Sequence, residues 1–422
     1  MTTDSTTGRG ARGDSRPALA RCTDLDPAAF ASEVWGRRPL LTTADKLTGF
    51  ADLFSLDAVD ELVSRRGLRT PFLRVAKGGA VVPTARYTRS GGTGAQVADQ
   101  VVDDRLLDLF VDGHTLVLQG LHRVWPALVD FAGQLVTDLG HPVQVNAYVT
   151  PSQSQGFSAH YDTHDVFVLQ VAGEKRWRIH EPVLPSPLRD QAWTDHRSAV
   201  EQRATTEPVI DTVLRPGDSL YLPRGYLHAA EALGGVTCHL TVGVHPVTRH
   251  DLLTALVALV ADDEGLRASL PLGVDLAEPA DVQPDLDATV DALLSRVRSV
   301  TAADVSSALA TSRLGGRRPA PLGPLAQAEA LRTLTSESVL AVRRHLDHVL
   351  VTDDEGVVDG SVTLVLPGRR VELGAASAKA VRALLDGARL RVDELPGLEP
   401  VDALALARRL VREGVVVTDP AP

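Results

Sequence analysis

Three residues of this chain have the chemistry and spacing of metal ligands. A His-x-Asp pair, His160 and Asp162, stands in a β-rich stretch, and a further histidine, His228, follows a Pro-Arg-Gly turn far downstream. Two histidines and one carboxylate are the facial ligand set of non-haem Fe(II) oxygenases, which leaves adjacent coordination positions open. On an extended segment, residues i and i+2 point to the same side. The pattern predicts a redox-metal site made of His160, Asp162 and His228.

A second His-x-Asp pair shows how little such a pair means alone. With 13 histidines and abundant aspartate, chance copies are expected, and His345 with Asp347 is one. We predict a helix over Ser336–Leu350, where side chains at i and i+2 point apart. We therefore interpret that copy as part of a solvated face, whereas His160 has a β context and a distant partner histidine.

Lys175 is the most informative neighbour of the metal pair. Lysine is rare in this arginine-rich chain, and Lys175 lies fifteen positions after His160. Gly173 and Glu174 predict a turn, after which Lys175 and Trp177 share one face of the next strand. A lysine among apolar neighbours is costly to bury unpaired. Two interpretations stay open: a stem that reaches solvent, or a fixed cation that meets a ligand carboxylate.

Asn146 and Tyr148 also lie at i and i+2 of a predicted strand. Side chains on one face of a strand can hydrogen-bond the same co-substrate or substrate. A capped strand end and a packed ring explain the two residues equally well when each is taken singly.

The elements around these residues indicate a β-rich core. From Val143 to Pro246, short β-branched runs alternate with Pro, Gly, Ser and Asp, which favours an antiparallel sandwich or barrel, with jelly rolls and cupins among the candidates. Helical and α/β segments precede this region. The polar stretch Ser186–Glu207 is long for a hairpin loop, and we expect it to flank the mouth of a site.

Helices dominate after Pro246. Two have wide apolar faces, which fit either a covering layer or a subunit interface. A Gly, Pro and Arg-rich linker follows, and then a tail of small helices and short strands that suits a winged-helix domain. Acidic residues surround Lys379 and Arg382, which favours a structural or protein-contacting role over DNA binding.

Composition excludes several classes of protein. The net charge of −11 and a pI near 5.6 argue against a protein that holds nucleic acid by phosphate contacts. Cys22 and Cys238 form no CxxC, so neither a disulfide framework nor a zinc knuckle is indicated. We find no secretory signal and no apolar run of about 18 residues or more. These features predict a cytoplasmic protein with no membrane span and with a disordered N-terminus over residues 1–22.

Four stretches resemble a known family. NAYVTP, GFSAHYDTHDVFVLQVAGEKRWRIHEP, LRPGDSLYLPRGYLHAAEA and VWGRRPLL are similar to the JmjC-type 2-oxoglutarate oxygenases, specifically the ribosomal-oxygenase branch of the cupins. The resemblance implies an α+β chain with a double-stranded β-helix (jelly-roll) core. The oxygenase domain would span residues 23–248, with the β-helix over about 110–248. A helical dimerisation region would span 249–315, and a winged-helix-like domain 316–422.

The same resemblance implies a chemistry. His160, Asp162 and His228 match the iron ligands, Lys175 matches the residue that binds the distal carboxylate of 2-oxoglutarate, and Asn146 and Tyr148 match pocket residues. Fe(II), 2-oxoglutarate and dioxygen would serve hydroxylation of a protein side chain, on a ribosomal protein, by a homodimer.

One departure from the family bears on the substrate. Relatives often have an acidic residue directly after the His-x-Asp pair, and this chain has Thr163, followed by His164 and Asp165. Three alternatives stay open: the same centre acting on a small molecule, an N-methyl demethylase, and a non-catalytic metal-binding regulator.

Overall fold

The computed structural model describes residues 16–152, 154, 158–313, 318–352 and 361–418. The chain divides into two compact units, with the break between Pro246 and Val247. The predicted end of the oxygenase domain at residue 248 and the predicted end of the helical region at residue 315 stay predictions.

Antiparallel strands form the centre of the first unit. The strands are, in chain order, β1 (Leu40–Thr42), β2 (Leu73–Lys77), β3 (Ala80–Val81), β4 (Thr88–Gly91), β5 (Val97–Val101), β6 (Thr115–Leu118), β7 (Val143–Thr150), β8 (Asp165–His180), β9 (Ile210–Leu214), β10 (Ser219–Leu222) and β11 (Leu227–Val244). Among the described residues, one sheet runs in the order β1-β10-β8-β11-β7-β6-β2-β3, with β9 paired to β8. The predicted antiparallel β-rich core is therefore confirmed.

Helices of the same unit precede or interrupt this sheet. They are α1 (Pro27–Ala29, continued by a π-helical turn over Phe30–Val34), α2 (Leu56–Arg65), α3 (Asp103–Val111), α4 (Leu121–Val124), α5 (Pro126–Leu139) and α6 (Arg197–Arg203). Ser55 caps α2, because its hydroxyl accepts a hydrogen bond from the Ala58 amide.

The core lies against one face of β7. Val145, Ala147 and Val149 are buried with the apolar side chains of α5 and β11, whereas Asn146 and Tyr148 are only partly buried on the other face. Strand alternation thus separates a packing face from a face that is available for polar chemistry.

The predicted turn at Gly173 and Glu174 is wrong. β8 is one continuous strand, and Gly173 sits within it at φ 65 beside an irregularity in the pairing with β11. A bulge accommodates the left-handed glycine and keeps the strand paired, which the Gly-Glu sequence alone does not distinguish from a turn.

Residues 16–22 are packed, although the sequence predicts a disordered N-terminus through residue 22. Leu19 and Cys22 are buried, and the amides of Ala18 and Leu19 donate to the carboxylate of Asp138. Two backbone hydrogen bonds to one buried carboxylate fix this segment against α5. The remaining part of the prediction falls on residues 1–15, which lie outside the described residues.

The second unit contains helices followed by two small sheets. Its helices are α7 (Arg249–Val260), α8 (Glu264–Arg267), α9 (Pro279–Val297), α10 (Ala302–Arg313), α11 (Pro324–Thr333), α12 (Ala378–Leu385) and α13 (Pro400–Arg412). Its strands are β12 (Val339–Val342), β13 (Val349–Thr352), β14 (Ser361–Leu366), β15 (Arg369–Gly374), β16 (Leu390–Arg391) and β17 (Val416–Thr418). The sheets run β16-β12-β17 and β13-β14-β15.

The helix predicted over Ser336–Leu350 is wrong. β12 lies inside this segment and β13 begins at its end, while His345 between them adopts a left-handed backbone at φ 58. Leu340 is buried in the core of this unit, so tertiary packing overrides the local helical preference. The pair His345 and Asp347 lies between β12 and β13 of the second unit, on a turn and not on a helix.

In the described part of the chain, no helix combines the length and the apolar character needed to cross a membrane.

Candidate active site

The structure brings the three predicted ligands together. The candidate ligand atoms of His160, Asp162 and His228 lie within 4.8 Å of one another. Nε2 of His228 is 3.7 Å from Oδ2 of Asp162, and the two imidazole rings are 4.4 Å apart. These separations make the three side chains a candidate ligand set for one metal ion.

Backbone pairing explains why residues so distant in sequence meet. His160 and His228 form an isolated antiparallel bridge, with reciprocal N–H to carbonyl distances of 3.2 and 2.9 Å. The Gly225 amide donates to the Asp162 carbonyl at 3.0 Å, which ties the Pro-Arg-Gly turn to the segment that contains the pair. The turn at Gly225 therefore positions the third candidate ligand, His228.

Both imidazoles are oriented for metal binding. Nδ1 of His160 lies 2.8 Å from the Ser158 carbonyl, and Nδ1 of His228 lies 3.2 Å from the Tyr226 carbonyl. A carbonyl at Nδ1 places the proton there and directs the Nε2 lone pair towards a metal. These contacts are the outer-shell hydrogen bonds that a histidine-ligated metal requires.

The protonation states also suit a divalent cation. Burial, followed by neighbouring His160, lowers the pKa of His228 to about 4, so this imidazole is neutral near pH 7. Burial favours the protonated form of Asp162, but His164 and the two ligand histidines together outweigh burial and lower its pKa. A neutral imidazole and an ionised carboxylate are the metal-binding forms.

Lys175 is buried on β8, the strand that pairs with the His228-containing strand β11. It is 3% exposed, and its ammonium donates to the Thr150 hydroxyl at 3.2 Å. Within the described residues no carboxylate pairs with it. Burial lowers the pKa of Lys175 to about 8, with a weaker opposing effect from Cys238. A buried ammonium without a counter-ion costs several kcal/mol, which an anionic ligand would offset. The solvent-reaching interpretation is therefore wrong.

On the side of the sheet that contains Lys175 and Thr150, three more polar atoms lack a hydrogen-bond partner in the described chain. They are Nε1 of Trp177, Oγ1 of Thr237 and Nδ1 of His239, and all three are buried. Thr237 and His239 stand opposite Thr150 and Tyr148 in the β11–β7 register, so they share the face of those residues. Buried donors without partners are uncommon, and together with Lys175 they fit a ligand that has several oxygen acceptors.

Asn146 and Tyr148 lie on the same face, and each already has a contact. The Asn146 side-chain oxygen accepts a hydrogen bond from the Gly120 amide at 3.0 Å. The Tyr148 ring stacks on His239, with centroids 5.1 Å apart and planes 2° apart. Burial raises the pKa of Tyr148 to about 12, so its hydroxyl stays protonated.

The polar stretch Ser186–Glu207 flanks the site, as expected. It contains a short 3-10 helix, Trp193–His196, and α6, and the Trp193 ring lies 6.2 Å from the His160 ring. The Tyr161 hydroxyl donates to the Gln191 carbonyl and anchors this wall.

The residues that follow the His-x-Asp pair have different roles. Asp165 is buried and accepts hydrogen bonds from the Tyr221 hydroxyl and the Arg224 amide, so its role is structural. His164 packs over Gly243 and stacks on His245 with ring centroids 5.0 Å apart. His164 lies two residues after the candidate ligand Asp162, and its protonated form favours the ionised form of that carboxyl, which lowers the pKa of Asp162.

Sequence reasoning missed several of these residues. Thr150 is two positions from Tyr148 on the same strand, so alternation could have found it, and alternation did place Trp177 beside Lys175 without assigning it a role. His239 required the cross-strand register, which no local pattern gives.

Comparisons with known proteins agree with this geometry. Residues 128–252 match the family model described as JmjC domain. Ribosomal oxygenase 1 of Rattus norvegicus is 31% identical over 237 residues, which cover 56% of this chain and 38% of that protein. The bifunctional lysine-specific demethylase and histidyl-hydroxylase NO66 of Drosophila grimshawi is 27% identical over 340 residues, 74% of this chain and 44% of that protein. The chain thus spans less than half the length of these curated relatives.

Solved structures show the same fold. YcfD of Escherichia coli is 20% identical with a TM-score of 0.57, over 94% of this chain and 99% of that chain. A structure of YcfD in complex with cobalt and 2-oxoglutarate, named a ribosomal oxygenase, matches with a TM-score of 0.53 at 19% identity, over 95% and 99%. The JmjC/cupin fold with mixed helices and sheets is therefore confirmed.

Proposed function

We propose that this protein is an Fe(II)- and 2-oxoglutarate-dependent oxygenase that hydroxylates a protein side chain, on a ribosomal protein. One observation supports this most strongly: the cluster of His160, Asp162 and His228 lies beside the sheet that contains Lys175, a buried ammonium without a counter-ion among the described residues. The donor set suits Fe(II), and the ammonium suits a dicarboxylate whose other end reaches the metal.

The bound metal would supply the oxidising chemistry: 2-oxoglutarate, dioxygen and a substrate C–H group give succinate, carbon dioxide and a C–OH group. Each of the two oxygen atoms of dioxygen is accounted for, one in succinate and one in the new hydroxyl.

The chain's own residues would bind and orient the co-substrate. The Lys175 ammonium would pair with its distal carboxylate, and the hydroxyl of Thr150 holds that ammonium in place. Trp177 and His239 would donate to the ligand oxygens that face them, and their apolar ring faces exclude water from the pocket.

A protein substrate is supported by the relatives and by charge. The rat relative is named ribosomal oxygenase 1, and NO66 a histidyl-hydroxylase. Ribosomal proteins are mostly basic, and the net charge of −11 favours their approach. With a ribosomal protein as substrate, we also propose a cytoplasmic location.

The proposal is tested by succinate formation with Fe(II). We expect turnover by the wild type, and loss of both turnover and Fe(II) binding in His160→Ala. The second His-x-Asp pair provides a control: His345→Asn should keep both properties, because asparagine tolerates the left-handed backbone at that position. Full turnover by His160→Ala would exclude the assigned metal site.

The substrate is tested by intact-mass measurement of the host's ribosomal proteins, with and without this gene. Hydroxylation predicts one protein that is heavier by about 16 Da, the mass of one oxygen atom, only when the gene is present. Unchanged masses throughout, with succinate formation intact, would indicate a different substrate.

N-demethylation is the second candidate, because the name of NO66 includes a lysine-specific demethylase. The same centre would hydroxylate an N-methyl carbon, and the product would lose formaldehyde. Formaldehyde release from methyl-lysine peptides in amounts equal to succinate would favour this function over stable hydroxylation.

We also propose that the protein is a homodimer through its helical region. Leu286, Val290 and Leu294 recur at i, i+4 and i+8 along α9, and 49%, 42% and 50% of their surfaces are exposed. Such a stripe is typical of a helix that packs on another chain. Light scattering should give a dimer for the wild type and a monomer for Val290→Asp, which places a charge in the middle of the stripe. A monomeric wild type would contradict this proposal.

The winged-helix assignment of residues 316–422 remains a proposal. A shared core of α12, α13 and the strands β12 and β17 supports it. Acidic residues near α12 favour contact with protein rather than DNA.

A further inference from the structure

A groove between α2 and α3 lies in the first unit, apart from the candidate active site. It encloses about 420 Å³. Its walls come from one face of each helix, since the lining residues recur at helical spacing. The lining residues are Leu56, Val59, Asp60, Val63 and Ser64 on α2, Asp103, Asp104, Leu106, Leu107 and Phe110 on α3, and Leu116, Val149 and Val236 on the strands β6, β7 and β11.

Strand alternation separates this groove from the metal site. Val149 reaches the groove from β7, whereas its neighbours Tyr148 and Thr150 face the candidate active site. Successive side chains of a strand point to opposite faces. The groove is therefore on the other side of β7.

Large apolar side chains are exposed along the groove. Leu107 is 61% exposed, Val236 38% and Leu56 37%. Isolated exposed leucines need no explanation, but several around one concave apolar surface mark an interaction site. Burial of these side chains by a partner would stabilise a complex.

The ionisable groups of the groove are all acidic. Asp60, Asp103 and Asp104 are the charged lining residues. In the described part of the chain none of the three forms an ion pair. A second copy docked symmetrically would bring these carboxylates together, which costs free energy. Charge complementarity instead favours a basic partner.

We infer that the groove binds a protein segment in which an apolar side chain is flanked by lysine or arginine. The apolar side chain fills the space between Leu107, Val63 and Phe110, and the flanking cations meet the aspartates at the rim. This surface would hold a basic protein on the side of β7 opposite the candidate active site.

Binding can be measured with the full chain and a synthetic probe. The probe is a fluorescein-labelled peptide that repeats Lys-Leu-Lys, followed by fluorescence anisotropy. Two matched peptides replace either every lysine by glutamate or every leucine by serine. Saturable binding of the first peptide alone is expected, with an affinity that falls as salt rises.

Paired variants locate the binding surface. Leu107→Asn should weaken binding about tenfold, the loss expected when one leucine-sized contact is removed. Val111→Asn on the same helix should leave it unchanged, because Val111 is 78% exposed but does not line the groove. The double variant Asp103→Asn/Asp104→Asn should bind the peptide more weakly and with a smaller salt dependence. The double variant Asp45→Asn/Asp108→Asn, at two exposed aspartates outside the groove, should change neither.

Three results would overturn the inference. These are absence of saturable binding, equal binding of the glutamate peptide, and equal effects of Leu107→Asn and Val111→Asn. Self-association that Leu107→Asn abolishes would show that a second copy covers the groove instead. Succinate formation by the same variants reports on the metal site separately. The inference about the groove and the proposed oxygenase activity can therefore be contradicted independently.

Discussion

At the scale of single residues, Lys175 links the fold to the proposed chemistry. Its ammonium is buried beside Thr150, and burial lowers its pKa to about 8. The protonated form binds an anion, and this form is lost as pH rises through that pKa. Affinity for an anionic co-substrate should therefore fall in alkaline solution.

We expect kcat/KM for 2-oxoglutarate to be constant between about pH 6.5 and 7.5 and to fall up to tenfold per pH unit above about 8, since kcat/KM reports the free enzyme. Lys175→Arg should lack this decline because guanidinium stays charged. Steady-state succinate assays across the range provide the measurement. A flat wild-type profile to about pH 9.5 would contradict the role of Lys175.

His239 provides a second test at this scale. His239→Phe keeps an aromatic ring against Tyr148 but removes the buried nitrogen. We expect KM for 2-oxoglutarate to rise about tenfold, the effect of one lost hydrogen bond to a charged group, with Fe(II) affinity unchanged. His141→Phe is the matched control, because His141 stacks on Trp35 instead. Equal effects of the two substitutions would exclude a specific role for His239.

At the scale of elements, the bulge in β8 sets the position of Lys175. Gly173 lies two residues before the lysine at φ 65, and a Cβ there would clash with the Val236 carbonyl oxygen. Glycine is therefore required both for the backbone conformation and for the close approach of β11. A side chain at this position must displace one strand.

Gly173→Ala should lower the free energy of unfolding by roughly 3 kcal/mol and raise KM for 2-oxoglutarate. Gly234→Ala isolates the conformational part of this effect, because Gly234 has φ 73 but no atom within 4 Å of its added Cβ. That control should cost about 1 kcal/mol. Urea denaturation measures both, and equal losses would show that contact with Val236 is unimportant.

At the scale of the whole molecule, the two compact units predict separable stabilities. The candidate active site lies entirely in the unit that ends at Pro246. A ligand stabilises only the unit that binds it, by about 2.7 kcal/mol at one hundred times its dissociation constant.

Calorimetry of the full chain should therefore show two unfolding transitions. Mn(II) with 2-oxoglutarate should raise the midpoint temperature of one of them by roughly 5–10 °C. His160→Ala should abolish this shift and leave the other transition in place. A single transition that shifts as a whole would show that the units unfold together.

Much of the candidate site follows from the sequence. Alternation groups Asn146 with Tyr148 along β7, and Lys175 with Trp177 along β8, because the period of a strand is a local property. The ligand pair at His160 and Asp162 is likewise local. The partner His228 could be proposed because a turn motif and a strand end mark it.

Tertiary structure decided the rest. The register of β11 against β7 brings His239 and Thr237 opposite Tyr148 and Thr150, and packing places β12 and the start of β13 in the segment Ser336–Leu350. The groove between α2 and α3 exists only once two helices are placed over β7. Sequence periodicity reports which side chains share a face of one element; which faces meet depends on pairing and packing between distant segments, and no local pattern encodes that.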